Sequence, residues 1–232
     1  MRVACLFSGG VDSALAALLL EPFCEVVLVT GSFGVTESGD TGAEPEGHAG
    51  SEAAPADPAA AAATAADALD LPHRRVALDP AVARSAVETM AADGYPRNGI
   101  QAVHEHALEV VADGAGEQRD GRDAGGANHA PVDAVADGTR RDDRVPTVSL
   151  AGARSLEDRH GVSYLRPLAG IGRRAVDALA ASALTVERGP SERLATGDYE
   201  TELRALLAAE HGAGAVEAVF PDHEQSRVTG RR

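Results

Sequence analysis

The chain opens on Arg2-Val3-Ala4-Cys5-Leu6-Phe7, a continuous apolar run, followed by Ser8-Gly9-Gly10-Val11-Asp12-Ser13. From Asp12 to Leu20, alanine and leucine recur at helical spacing, so the pattern changes from strand to helix across two glycines. Glu25 to Thr30 (EVVLVT) is a second run, rich in β-branched residues of the kind buried in parallel sheets, and Gly31 closes it. Residues 2–31 therefore read as a βαβ unit, and that unit sets the fold class.

Outward from it, the same alternation continues. Helices are expected over 57–69, 80–93, 98–113, 172–182 and 201–211. Strands are expected over 74–78, 132–137 and 162–165, with a short extended piece over 216–220. Together these predict an α/β fold: a doubly wound, Rossmann-like parallel sheet of about five strands with helices on both faces and its ligand at the carboxyl ends of the strands. Residues 1–185 form the expected nucleotide-binding domain, with low-complexity acidic insertions at about 34–56 and 114–131. Residues 186–232 form a C-terminal helical or tail extension packing near the site.

The turn at residues 8–13 carries chemistry. Gly9 and Gly10 let the backbone curl so that its N–H groups, with the positive end of the next helix, face an anion, and Ser8 and Ser13 add hydroxyls. Asp12 would repel a bare phosphate, whereas a magnesium–nucleotide complex accounts for a carboxylate at that place. The bland alternative is a tight turn with Asp12 and Ser13 as helix-capping residues. Neither other glycine fingerprint fits, because the phosphate-loop lysine is missing and the G-x-G-x-x-G spacing is not met.

SGGVDS after an N-terminal strand resembles the pyrophosphate loop of the PP-loop ATP pyrophosphatases. Two further segments follow in order. Ala136-Asp137-Gly138-Thr139-Arg140-Arg141-Asp142-Asp143 is similar to the family's small-Gly-x-x-x-Asp-Asp segment, and Leu165-Arg166-Pro167-Leu168 with Gly172-Arg173-Arg174 is similar to its Pro-Leu turn before a basic helix. Within the superfamily, ADGTRRDDRVPT and GDYETELR resemble archaeal PP-loop proteins of unassigned substrate.

The resemblance implies an adenine nucleotide alpha hydrolase type of fold and two cofactors, ATP and Mg²⁺. It further implies adenylation of a substrate oxygen with loss of pyrophosphate, then displacement of AMP by a second nucleophile. It carries Ser8, Gly9, Gly10, Val11, Asp12 and Ser13 over to nucleotide binding. Thr30, Gly31, Ser32 and Gly138 are expected to frame the nucleotide. Asp12, Asp142 and Asp143 are the metal candidates, and Asp12, Arg140, Arg166 and Arg173 the catalytic ones, with Arg174 a further phosphate contact.

Charge gives an independent reason to look at the arginines. The formal net charge is −15, all 21 basic residues are Arg, 47 residues are Ala and aromatics are 3%. Such a composition fits a high-salt cytoplasm, where screening shortens to about 3 Å at 1 M. Yet residues 139–174 hold eight Arg against four acids, so this stretch is +4 and the remainder −19.

Two cysteines, Cys5 and Cys24, cannot build a disulfide framework or a four-ligand zinc site, and no CxxC supports a persulfide relay. His104, Glu105, His106 and Glu109 read as one solvated helix, since His at i and i+2 face different sides. Phe220 to Arg227 and Gly197 to Glu202 are polar enough to cover a pocket.

The expected partners are ATP, a tRNA base or small-molecule acceptor, a separate donor of ammonia or sulfur, and a second copy of the chain. No membrane and no glutaminase domain are expected. The rival readings are an ATP-binding regulatory protein without turnover and a subunit active only within a modification complex.

Overall fold

The computed structural model describes residues 1–35, 58–117, 131–191 and 193–232. The parallel sheet is built from β1 (Arg2–Leu6), β2 (Glu25–Ser32), β3 (His73–Ala77), β4 (Ala134–Ala136) and β5 (Ser163–Leu165). Its order is β3-β2-β1-β4-β5, every pairing is parallel, and Val3 lies between Val26 and Ala134. The chain winds outward from β1 in one direction and then from β4 in the other. The switch point therefore lies between the ends of β1 and β4.

Alternation along the central strands divides the core. Val3, Cys5, Val26, Leu28, Ala134 and Ala136 pack with α1 (Val11–Leu20), α2 (Pro58–Ala68) and α6 (Arg173–Ala183). Ala4, Leu6, Val27, Val29 and Val135 face the other way, against α3 (Pro80–Asp93), α4 (Arg97–Glu117), α5 (Leu150–His160), α7 (Tyr199–His211) and α8 (Ala213–Val219). Both faces are thus covered, which is why these strands read as unbroken apolar runs. Among the described residues no helix is long and apolar enough to cross a membrane.

Several expectations need correction. The piece over 216–220 is not extended: Ala213–Val219 is a helix, because Val219 and Phe220 are buried against the α3 and α7 side and packing overrides the β preference of valine. The helix expected to end at 113 continues to Glu117, so the second loop starts later than 114; residues 118–130 and the acidic stretch 36–57 lie outside the described residues.

Helix α5 is an addition, capped by Ser149 Oγ accepting from the Gly152 N–H and closed by Gly161 at φ 63°. The C-terminal extension is not helix and tail alone. Leu184–Pro190 (β6) and Glu224–Arg231 (β7) pair antiparallel as a separate two-stranded sheet. Its Val228 is buried with α1 and α2, which attaches the sheet to the glycine turn.

Candidate functional site

The loop after β1 is a fixed object. Gly9 has φ +80°, a conformation natural to glycine, and a Cβ there would stand 3.1 Å from the Ala65 Cβ. The Ser8 carbonyl accepts the Gly197 N–H at 2.7 Å and the Gly9 carbonyl accepts the Val228 N–H at 2.8 Å. With both carbonyls taken by the C-terminal segment, the Gly9 and Gly10 N–H groups point the opposite way in their peptide planes, the Gly10 N–H to Ser8 Oγ at 3.3 Å. Ser13 Oγ accepts the Ser8 N–H at 3.3 Å and donates to the Gly10 carbonyl at 3.2 Å, and Ser226 Oγ accepts the Val11 N–H at 3.4 Å. Two hydroxyls therefore stand at the start of α1, where an anion is favoured.

Across the switch point, Gly138 follows β4. A Cβ on it would come within 2.7 Å of the Ser13 nitrogen and 2.9 Å of the Asp12 carbonyl oxygen, so the two loops touch through backbone. The neighbouring Arg140 gathers three carboxylates. It holds Asp143 through its backbone N–H at 2.7 Å, its Nε at 3.1 Å and its Nη2, reaches Asp142 at 3.6 Å, and places Nη1 3.2 Å from Asp12 Oδ2. That Nη1 is buried and makes no hydrogen bond among the described residues. Burial pushes the Asp12 carboxyl above its ordinary range against the pull of Arg140.

A cavity of about 450 Å³ opens over these groups. Ser8, Gly10, Val11, Asp12, Ser13 and Gly31 line it, as do Gly138, Asp143 and Arg173. Other expected residues lie elsewhere. Thr30 Oγ1 donates to the Phe7 carbonyl at 2.6 Å, and Ser32 Oγ donates to buried Glu202 at 3.0 Å. Arg166 reaches the Val148 carbonyl at 3.2 Å, and Asp142 accepts the Arg173 N–H at 2.9 Å at the start of α6. Gly9, Thr30, Ser32, Arg140, Asp142, Arg166 and Arg174 are not among the residues that line the cavity, and Arg140 lies behind Asp12 and Asp143.

The cavity wall is accordingly rich in carboxylates: Asp12, Asp143, Asp177, Asp198, Glu200 and Glu224 face Arg173 and Arg188. Most of the arginine island is spent outside, as where Arg159 pairs with Glu109.

Residues 196–200 and 223–226 of the C-terminal extension form one wall, and all but Thr196 fall within the two polar stretches expected to cover a pocket. Asp198 caps α7 through the Glu200 and Thr201 N–H groups and accepts from Thr196 Oγ1 and Gln225 Nε2.

His104, expected in solvent, is instead 6% exposed and lies 2.9 Å from Asp137 Oδ2. The signal was present: Ile100, Val103, Ala107 and Leu108 surround His104 at helical spacing and place it on the apolar face. Asp137 also accepts from Thr139 N at 3.0 Å, Thr139 Oγ1 at 2.6 Å and Tyr164 Oη at 2.5 Å. Burial works against its charge, but these donors outweigh it and hold the carboxyl below the usual range. Cys5, by contrast, is buried in β1 with its thiol pushed up to about 12 by desolvation and Asp137, which makes it a poor nucleophile.

The model of a family of unknown function, DUF7411, matches residues 1–51 and 49–230. The chain belongs to this family. An uncharacterized protein of Methanocaldococcus jannaschii, MJ0690, is 33% identical to the DUF7411 chain over 231 residues, 99% of this chain and 96% of that protein. A crystal structure from the same organism, described as a predicted subunit of tRNA methyltransferase, matches with a TM-score of 0.76 at 31% identity, covering 100% of this chain and 98% of that one. The likeness runs through the C-terminal sheet as well as the parallel one.

Asp198 gives a pH test of the cavity wall. Burial and the neighbouring Glu200 push its carboxyl up to about 6. A carboxyl raised in the folded state stabilises the fold below its unfolded value, near 3.9, and that stability is lost as pH rises through about 6. Asp198→Asn keeps a capping oxygen, so between pH 4 and 6 the wild type is expected to lose about 2 kcal/mol relative to the variant. Urea melts of both proteins across that range measure it; parallel curves would refute the shift.

Proposed function

We propose that this DUF7411 chain is a cytoplasmic ATP pyrophosphatase that adenylates an oxygen of its acceptor in tRNA modification. The observation that carries the reading is the glycine loop itself: its carbonyls are tied off to the C-terminal segment, its N–H groups and two serine hydroxyls stand at a helix start, and Asp12 with Arg140 Nη1 is beside them. Fixed N–H groups and a buried cation at one place are what stabilises charge on a departing pyrophosphate. The switch-point location is where open α/β sheets take nucleotides.

A carboxylate-rich wall would repel a free triphosphate, so the anion should enter with a cation. Asp12 and Asp143 fit as holders of Mg²⁺, since both line the cavity and share Arg140. Asp142 does not fit, because it is engaged by the Arg173 N–H outside the cavity. No group of three His, Cys, Asp or Glu among the described residues converges as a metal site. That suits an ion held by one or two carboxylates plus substrate phosphates. When bound, Mg²⁺ would neutralise charge on the phosphate oxygens.

A tRNA acceptor is favoured by the likeness to a protein described as a predicted tRNA methyltransferase subunit. The same description favours a second reading, in which the chain turns over only with a partner. Incubation with MgATP labelled at the α- and γ-phosphates, with and without unfractionated tRNA, tests both. AMP and pyrophosphate are expected, and ADP and phosphate would overturn the proposal. Asp12→Asn is expected to lower AMP formation about 100-fold, near 2.7 kcal/mol, while weakening ATP binding less than about 3-fold. A variant with wild-type rates would remove the metal role from Asp12.

A further inference from the structure

We propose that His104 accepts the proton of the nucleophile used in this cavity, and that the nucleophile is a neutral O–H or N–H compound rather than a sulfur or carboxylate anion. The inference rests on the adenylating reading and adds to it the identity of the base and the class of nucleophile.

His104 is held as such a base would be. Its Nε2 meets Asp137 Oδ2 at 2.9 Å, and three further donor contacts to Asp137, two from Thr139 and one from Tyr164, keep that carboxylate ionised and acceptor-only. The Nε2 must then carry the proton of that bond. The other nitrogen, Nδ1, has no hydrogen-bond partner among the described residues, and His104 lines the cavity with Ser8, Asp12 and Gly138.

The groups facing the ring are Asp137 just after β4, Tyr164 from β5 through Asp137, and Tyr199 from α7, whose ring lies edge-on with centroids 6.5 Å apart. A ring nitrogen opposite a carboxylate-anchored N–H is the arrangement that fixes tautomer and orientation for proton transfer.

The nucleophile class follows from the wall. Asp12, Asp143, Asp177, Asp198, Glu200 and Glu224 outnumber Arg173 and Arg188 around the cavity, even with Glu200 paired to Arg204, so the wall disfavours an approaching anion relative to a neutral donor-bearing group. In the second step, the X–H bond of the nucleophile breaks as X bonds the adenylated carbon. The proton goes to Nδ1, and the carbon–oxygen bond to AMP breaks with its electron pair leaving on AMP. With MgATP alone, water is the nucleophile. Its oxygen bonds the α-phosphorus, its proton goes to Nδ1, and pyrophosphate leaves with the electrons of the broken bridge bond.

Two measurements decide it. Long-range ¹H–¹⁵N spectra of the wild type should show His104 protonated at Nε2 and bare at Nδ1, with the Nδ1 signal moving on addition of Mg·α,β-methylene-ATP. His104→Gln should bind that analogue within about 3-fold of wild type by calorimetry, yet form AMP from MgATP at least about 100-fold more slowly.

A proton on Nδ1, an Nδ1 signal indifferent to the analogue, or AMP formation within 3-fold of wild type would each overturn the base while leaving the nucleotide reading standing. A wild type that binds no analogue sinks the nucleotide reading and this inference with it. If the variant does not fold, or the wild type binds the analogue without forming AMP, the wild-type spectra alone uphold or overturn the base.

Discussion

Gly138→Val is expected to cost the fold about 3–4 kcal/mol and, on the proposed reading of the site, to abolish nucleotide binding. The position has no positive φ, so the reason is room alone. A Cβ there meets the Ser13 nitrogen at 2.7 Å, the Asp12 carbonyl carbon at 2.8 Å and its oxygen at 2.9 Å. These are backbone atoms of the first turn of α1, which rests on β1 and β2 through buried Ala14, Leu15 and Ala17 and has no slack to retreat. Relief must come from prising the β4 loop away from the α1 start, and that separation opens the crevice in which Asp12, Asp143 and Arg140 meet.

Valine adds two methyl groups to the clash, so alanine should give a weaker form of the same defect. Gly170→Ala is the control, since a Cβ there meets nothing within 4 Å, and it should stay within about 0.5 kcal/mol. Urea denaturation together with calorimetry of MgATP binding checks the set. Valine at 138 with wild-type stability would show that the two loops do not abut.

What could be read ahead of the structure follows the range of the interactions. The unit β1-α1-β2 was legible because each piece declares itself locally: an apolar run, two glycines, a helical period, a β-branched run. The parallel, doubly wound class followed from alternation of strands with helices. The C-terminal sheet was not legible in that way. β6 and β7 are separated by two helices, so no turn residue announces their pairing, and Glu187 and Arg188 against Ser226 and Arg227 look like ordinary surface.

The site repeats the pattern. Ser8, Gly10, Asp12 and Ser13 could be picked out because one short stretch holds them. Thr196, Asp198 and Ser226 reach the same cavity from almost two hundred residues away, and the polarity of 197–202 and 220–227 marked those stretches as pocket cover without showing which side chains would enter. Charge counting found the arginine island but not its directions. Arg173 lines the cavity, Arg140 is folded onto Asp143, Arg166 turns to Val148, and Arg159 pairs with Glu109. A sum over a segment carries no vector, and whether a guanidinium meets a ligand or a neighbour is decided by the turn that presents it.

Glu202→Ala tests the least visible of these long-range ties and should destabilise the protein by about 4 kcal/mol. Glu202 sits in the first turns of α7 at 2% exposure, and its carboxylate accepts from Ser32 Oγ at 3.0 Å, the Phe33 N–H at 3.0 Å and the Val35 N–H at 3.2 Å. Those donors lie on the last residue of β2 and just past it, where the chain leaves the sheet. Alanine would leave the two N–H groups without this acceptor, and a void where the side chain stood.

Glu202→Gln separates charge from shape. Its amide oxygen can still accept, but its nitrogen would face a donor, so about half the loss should return. Because α7 begins at Asp198 on the cavity wall and Gly31 of β2 lines the same cavity, freeing residues 32–35 should also weaken MgATP binding, by about 10-fold in Glu202→Ala and by less in Glu202→Gln. A Glu202→Ala protein that melts like wild type but binds nucleotide poorly would place Glu202 in ligand recognition. One that loses stability and affinity together, with Gln recovering part of both, identifies it as the tie that holds the C-terminal extension and the parallel sheet around one site.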